Sequence, residues 1–181
     1  MTIELQPVFY VPMWKISISD WENKKEKLMS LPMWDEKEYI FNNHFSDYEK
    51  NIINPDNSYR DQFCTILQSE LIEFADTLQV PKLQVKEVWA QKYDNKQWMA
   101  PHNHGGLGFS AVLYAEMFGG HEATTFLAPF NNFIDGSVIR HQPDVEEGDL
   151  ILFPSVLQHY ATPNETYSSR TIFSFNCYGI K

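Results

Sequence analysis

The stretch Ala100-Pro101-His102-Asn103-His104-Gly105-Gly106 sets two imidazoles one residue apart, after a proline and before a glycine pair. Alternate residues of a strand share a face, so His102 and His104 can enter one cavity together. A third histidine, His159, lies in GDLILFPSVLQHYATPN, in a strand-end loop between two prolines. Two ligands close in sequence and a distant third form a workable plan for a metal clamped between strands. A lone histidine beside Pro and Gly is ordinarily a loop residue; the H-x-H pair together with His159 is what favours the metal reading. His44, His121 and His141 have no comparable setting and are read as structural.

Eleven residues after His159, Arg170 opens the strand RTIFSFN. If it points inward, the two-residue period sends Ile172, Ser174 and Asn176 inward with it. Thr171, Phe173, Phe175 and Cys177 then form an apolar opposite face. A buried guanidinium needs an anion, and its planar fork fits a carboxylate, to which Ser174 can add a hydroxyl. The plainer reading is a surface arginine paired with a glutamate; the neighbouring histidines favour the buried one.

The elements that must position these groups follow from pattern. Residues 5–18 read as extended, because two prolines forbid a helix among aromatic and β-branched residues. Ser19 is a candidate N-cap for a short helix to Leu28-Met29, with Glu22 at the third position. Residues 31–57 are irregular and rich in Asn and Asp turn signals. Between 59 and 78, Phe63, Ile66, Leu67, Leu71, Phe74 and Leu78 make one apolar stripe at helical spacing, which Pro81 ends. Strands are expected at 85–93, 108–118, 123–129, 138–145, 149–154 and 170–180. The expected fold is mainly β with flanking helices, in one domain: a helical and extended flank over 1–80 and a β sandwich or barrel over 81–181.

The chain of 181 residues is 43% hydrophobic and 15% aromatic, which excludes a disordered protein. Its net charge of −10 argues against a nucleic-acid partner, which needs a basic stripe. Lys24, Lys25 and Lys27 are interrupted by Glu22 and Glu26 and read as a solvated face. Two distant cysteines make no disulfide framework, the N-terminus lacks the pattern of a signal peptide, and no apolar run is long enough to span a membrane. These features favour a cytoplasmic protein without a membrane partner.

From about Val85 to Tyr178 the chain resembles the double-stranded β-helix, or jelly roll, of the 2-oxoglutarate- and Fe(II)-dependent oxygenases. It is most similar to a small group with an H-x-H segment. The matching text is PHNHGGLGFSAVLYAEM, GGHEATTF and VEEGDLILFPSVLQHYATPNETYSSRTIFSFN. PVFYVPMWKISI also resembles that group's opening strand. The resemblance implies that His102 and His159 bind Fe(II), that Arg170 holds the distal carboxylate of 2-oxoglutarate, and that Tyr93 is a further candidate for the same co-substrate. It also implies a hydroxylase that uses O2 and decarboxylates 2-oxoglutarate to succinate.

The wider superfamily carries H-x-D or H-x-E where this chain has His104. The reading adopted is a metal site of His102, His104 and His159. The alternatives are a carboxylate supplied by Glu116 or Glu122, or an H-x-G-like site of the radical halogenases with chloride in the open position. A cupin is the rival enzyme class. Gly148, Pro154 and His159 overlap its second motif, but Val156 stands where that motif wants glycine, and no glutamate follows the H-x-H before Glu116. A metal-free jelly-roll module with Trp89, Trp98 and Phe109 along a groove is the non-enzyme rival. The substrate expected is a small molecule or peptide, including a peptidyl proline or a free amino acid. Its pocket would be shaped by 31–57 and the 127–140 loop. A nucleic-acid demethylase fits the acidic balance poorly.

Overall fold

The structure, a computed structural model, describes residues 4, 10–33, 40–41, 44–53 and 58–180. The expected extended stretch at 5–9, and the turn signals at Asn42-Asn43 and 54–57, lie outside these residues. The first strand, β1 (Trp14–Ser17), precedes helix α1 (Trp21–Met29). Two short strands, β2 (Ile40–Phe41) and β3 (His44–Ser46), lead to helices α2 (Tyr48–Ile53), α3 (Arg60–Ile66) and α4 (Gln68–Thr77). The β region then runs β4 (Lys82–Tyr93), β5 (Met99–His102), β6 (Phe109–Glu116), β7 (Thr125–Asn131), β8 (Val138–His141), β9 (Asp149–Pro154), β10 (His159–Ala161) and β11 (Arg170–Ile180).

These strands make two antiparallel sheets, a larger one in the order β1-β9-β6-β11-β4-β3-β2 and a smaller one in the order β5-β10-β7-β8. The period of two decides what each face does. Val88 and Ala90 of β4, Ala111, Leu113 and Ala115 of β6, Leu150 and Leu152 of β9, and Phe173 and Phe175 of β11 pack in one core with Phe63, Leu67 and Phe74 of the helical flank. The alternate residues Tyr93, Val112, Tyr114, Ile151, Phe153 and Ile172 form a second cluster with Phe126 and Ala161 of the smaller sheet. The strand RTIFSFN is thus buried on both faces, with Arg170 at its start.

The expected helix over 59–78 is divided at Leu67, whose backbone leaves helical geometry at φ −100° and ψ 22°. Neither Pro nor Gly marks the position, and the stripe that suggested one helix continues across the break. Strands β5 and β10 were not expected from the pattern, since four and three residues beside prolines give no period to read. His159 consequently sits in a strand rather than in a strand-end loop. The 127–140 segment is a hairpin of β7 and β8 rather than a loop, and the expected strand at 138–145 stops at His141. The 31–57 region, expected to be irregular, contains β2, β3 and α2. No helix among the described residues is long and apolar enough to cross a membrane.

Candidate metal centre and co-substrate pocket

Strand pairing sets His102 of β5 directly opposite His159 of β10. His104 lies just beyond β5, where its backbone N–H donates to Ser155 O at 2.9 Å. The loop then turns at Gly108, whose φ of +80° and close approach to Cys177 O leave no room for a side chain. The three rings converge with centroids 4.4 Å (102–159), 5.1 Å (104–159) and 5.2 Å (102–104) apart. One nitrogen from each lies within 4.8 Å of the others.

Every Nδ1 faces a carbonyl oxygen: His102 to Ala100 O at 2.9 Å, His159 to Leu157 O at 3.0 Å, and His104 to the side-chain Asn176 Oδ1 at 2.7 Å. A carbonyl only accepts, so each Nδ1 carries the hydrogen and each Nε2 keeps a lone pair for the centre of the cluster. Burial lowers all three pKa values, that of His159 to about 3, which holds the imidazoles neutral at pH 7. Three neutral imidazoles with fixed tautomers are a donor set suited to a divalent first-row metal.

The cluster borders a cavity of about 1180 Å³ whose walls include Trp89, Gln91, Tyr93, Thr124, Ile172 and Ser174. Arg170 is 2% exposed and stands 4.7 Å over the Tyr93 ring, without reaching the cavity wall itself. Its guanidinium donates to the carbonyls of Glu122 and Thr162, and no carboxylate pairs with it among the described residues. Two carbonyls leave most of its five N–H donors without a partner among the described residues, and its charge is offset only at a distance by Glu122. The buried hydroxyl of Thr162, whose carbonyl meets the guanidinium, has no hydrogen-bond partner among the described residues. Burial also raises the Tyr93 pKa, against the pull of Arg170, so the phenol stays a protonated donor. A polar corner of this kind fits a small anion.

Ser174 faces the cavity as the period predicts, but its hydroxyl donates to Gln91 Oε1 at 3.1 Å. Four residues of strand, roughly 13 Å, separate it from Arg170. Gln91 Nε2 in turn lies 3.0 Å from His44 Nε2, and His44 stacks on Tyr93 at 4.9 Å. His44 is therefore a cavity residue, although nothing in its sequence setting marked it. His121 binds Thr166 and Ser168 outside the cavity, and His141 is exposed. Glu116 accepts from Thr171 at 2.6 Å and Glu122 is exposed; neither lines the cavity. Trp89 does, whereas Phe109 packs against Trp14 and Phe74 on the opposite side of the larger sheet. Trp98, 39% exposed, lies off the wall. Glu87 and Gln91 were not singled out from sequence. Counting back by twos from Tyr93 gives Gln91, Trp89 and Glu87, all on the cavity wall, so the alternation of β4 was the available signal.

Residues 87–176 match a family model described as "Putative 2OG-Fe(II) oxygenase". No curated protein sequence matches the chain. Among solved structures, the chain is similar to the collagen prolyl hydroxylase of Paramecium bursaria chlorella virus 1 in its 2-oxoglutarate complex, at 16% identity, 93% and 96% coverage of the two chains and a TM-score of 0.58. It is also similar to a Pseudomonas putida prolyl-4-hydroxylase, at 14% identity, 93% coverage of each chain and a TM-score of 0.53. HygX from Streptomyces hygroscopicus, bound to nickel, 2-oxoglutarate and hygromycin B, matches at 13% identity, 93% and 83% coverage and a TM-score of 0.60. At these identities the structures speak for the fold, a jelly roll flanked by helices. The family match spans all three clustered histidines, Tyr93 and Arg170, and it makes this chain a member of the 2OG-Fe(II) oxygenases, oxidoreductases that use iron, 2-oxoglutarate and dioxygen.

Proposed function

We propose that the protein is a dioxygenase that hydroxylates a small molecule or a peptide, with His102, His104 and His159 holding iron and the Tyr93–Arg170 corner holding 2-oxoglutarate. The observation that carries this reading is the convergence of one nitrogen from each of three imidazoles whose Nδ1 atoms all face a carbonyl oxygen, which leaves Nε2 to the metal. When bound, iron and 2-oxoglutarate supply the chemistry: O2 is consumed, 2-oxoglutarate becomes succinate and CO2, and a substrate C–H becomes C–OH.

The chain's own residues do the rest. Tyr93 donates its phenol to the distal carboxylate, and Arg170, stacked on the same ring, supplies the positive charge that makes this buried corner favour an anion. Ser174 acts at one remove by holding Gln91, which in turn holds His44 against Tyr93. With no carboxylate at position 104, the dianion of 2-oxoglutarate becomes the main compensation for the metal's charge. A cavity of about 1180 Å³ exceeds the usual ligand pocket of roughly 300–1,000 Å³. That leaves room for co-substrate and substrate together, and Trp89 and Tyr160 on the wall offer apolar contact to an amino-acid or peptidyl side chain. The prolyl hydroxylases among the similar structures make a proline-containing peptide the first substrate to try. The helical flank and jelly roll are read as one domain, since Phe63 and Phe74 share a core with Phe173 and Phe175.

Succinate formation from 2-oxoglutarate in air, with ascorbate added to supply the two electrons that the missing substrate would give, tests the reading without knowledge of the substrate. Succinate should appear only with added Fe(II), and chelation should stop it. Metal-dependent turnover of an organic substrate in the complete absence of 2-oxoglutarate would instead restore the cupin reading.

A further inference from the structure

The third imidazole, His104, is held differently from the other two. His102 and His159 each satisfy Nδ1 with the carbonyl two residues back in the chain, a contact that local geometry supplies. His104 reaches across the site to Asn176 of β11, 72 positions away in sequence. Asn176 Oδ1 also accepts from Ser110 Oγ at 2.8 Å, and Asn176 Nδ2 donates to Glu87 Oε2 at 2.9 Å. Ser110 and Glu87 are the register partners of Asn176 on the two neighbouring strands.

Donor and acceptor rules give this chain of contacts a direction. A carboxylate only accepts, so Glu87 forces the amide nitrogen of Asn176 to its own side and the amide oxygen toward His104. That oxygen forces the hydrogen of His104 onto Nδ1, and the lone pair onto Nε2. We infer that Asn176 and Glu87 are positioning residues for the metal centre: together they fix the tautomer of His104 and bring to it, two hydrogen bonds away, the negative charge that the wider superfamily places at its own position. The inference rests on the proposed three-histidine metal site.

The backbone is shaped to this end. The pairing of β4 with β11 slips by one residue between Asn176↔Glu87 and Cys177↔Val85, leaving Lys86 as the extra residue of a β-bulge. Tyr93, Gln91, Trp89 and Glu87 face the cavity, and an unbroken alternation would turn Val85 there as well. The bulge instead sends Val85 into the helix-side core and leaves Glu87, with the bulged Lys86 beside it, at the end of the strand's cavity face. Glu87 is not isolated from other charge, since Lys86 Nζ sits 2.9 Å from its Oε1. The oxygen left for Asn176 is Oε2.

Co(II) is a suitable probe, because its visible absorption reports ligand number and a competition titration gives its affinity. Wild type should bind, and His104→Ala should bind weakly. Asn176→Ala should weaken binding about 10–100-fold, the usual cost of losing such a partner. Glu87→Gln keeps an acceptor but no longer dictates the amide orientation, and should cost about three- to tenfold. The double variant Asn176→Asp with Glu87→Gln again offers His104 an obligate acceptor and should recover most of the affinity. In the metal-free wild type, ¹⁵N NMR of the imidazoles should show His104 protonated at Nδ1.

A purely structural role would lower the melting temperature of Asn176→Ala while leaving the Co(II) affinity of the folded fraction intact. Failure of the double variant to recover affinity, or Glu87→Gln and Asn176→Ala binding as tightly as wild type, overturns the inference and leaves the metal site standing. His104→Ala binding as tightly as wild type removes the metal-site reading itself, and the inference with it.

Discussion

Replacing His159 by alanine should abolish metal loading at micromolar iron and, with it, all 2-oxoglutarate turnover. His159 is 4% exposed, lies opposite His102 in the register, and packs against Phe153 at 4.8 Å and Phe126 at 5.8 Å. Those aromatic rings leave its imidazole one orientation, so its lone pair is aimed before any metal arrives. Four-ligand zinc sites bind with roughly 10–16 kcal/mol, so one ligand of a small set is worth about 3–4 kcal/mol, on the order of several hundredfold in affinity. Burial keeps the ring neutral well below pH 7, so protons should not compete with metal until the solution is distinctly acidic. Titration of Fe(II) or Mn(II) into wild type and variant under anaerobic conditions checks the expectation. His159→Gln is the companion variant, because it fills part of the volume that alanine leaves empty between the two phenylalanines. Unchanged affinity in both variants would remove His159 from the metal site.

The second large effect belongs to Arg170, and two observables should separate. Arg170→Met keeps most of the side-chain volume over Tyr93 but removes the charge. Losing the unit charge that this buried corner offers the carboxylate costs about 1.5–3 kcal/mol at an effective dielectric near 20, so the affinity for 2-oxoglutarate should fall roughly 10–150-fold. Stability without co-substrate should move little. Among the described residues, the native guanidinium is buried with the carbonyls of Glu122 and Thr162 as its hydrogen-bond partners, and relief of an underpaired charge offsets the loss of those two bonds. Isothermal titration of the metal-loaded protein with 2-oxoglutarate, beside thermal melts without it, reads both quantities. A variant that loses stability while binding 2-oxoglutarate normally would make Arg170 a structural residue.

The sequence showed this site to differing depths. The alternation of RTIFSFN was strong because one face carries the polar Arg170, Ser174 and Asn176 while the other packs Phe173 and Phe175 into the helix-side core, so the sides they take could be read directly. The histidine cluster was legible because two of its members share three residues of text and the third follows a well-marked strand. His44 was read as structural and not as a cavity residue because only the tertiary fold brings β3 beside β4, and its contact with Gln91 spans 47 positions. Asn176 was placed on the correct face, but its task depends on a bulge at Lys86 that no residue type announces. Strands β5 and β10 were too short to carry a period, and the helix break at Leu67 has no sequence marker. Ser174 illustrates a different limit: alternation gives the face of a side chain but not its partner, and the partner here is Gln91.

The most direct test of the three-histidine centre is the visible charge-transfer absorption that 2-oxoglutarate gives on chelating Fe(II), recorded without oxygen in wild type, His104→Ala and Arg170→Met. The account predicts a band in wild type, its loss or a marked shift without His104, and its appearance only at much higher 2-oxoglutarate without Arg170. No band in the iron-loaded wild type at millimolar 2-oxoglutarate would contradict it.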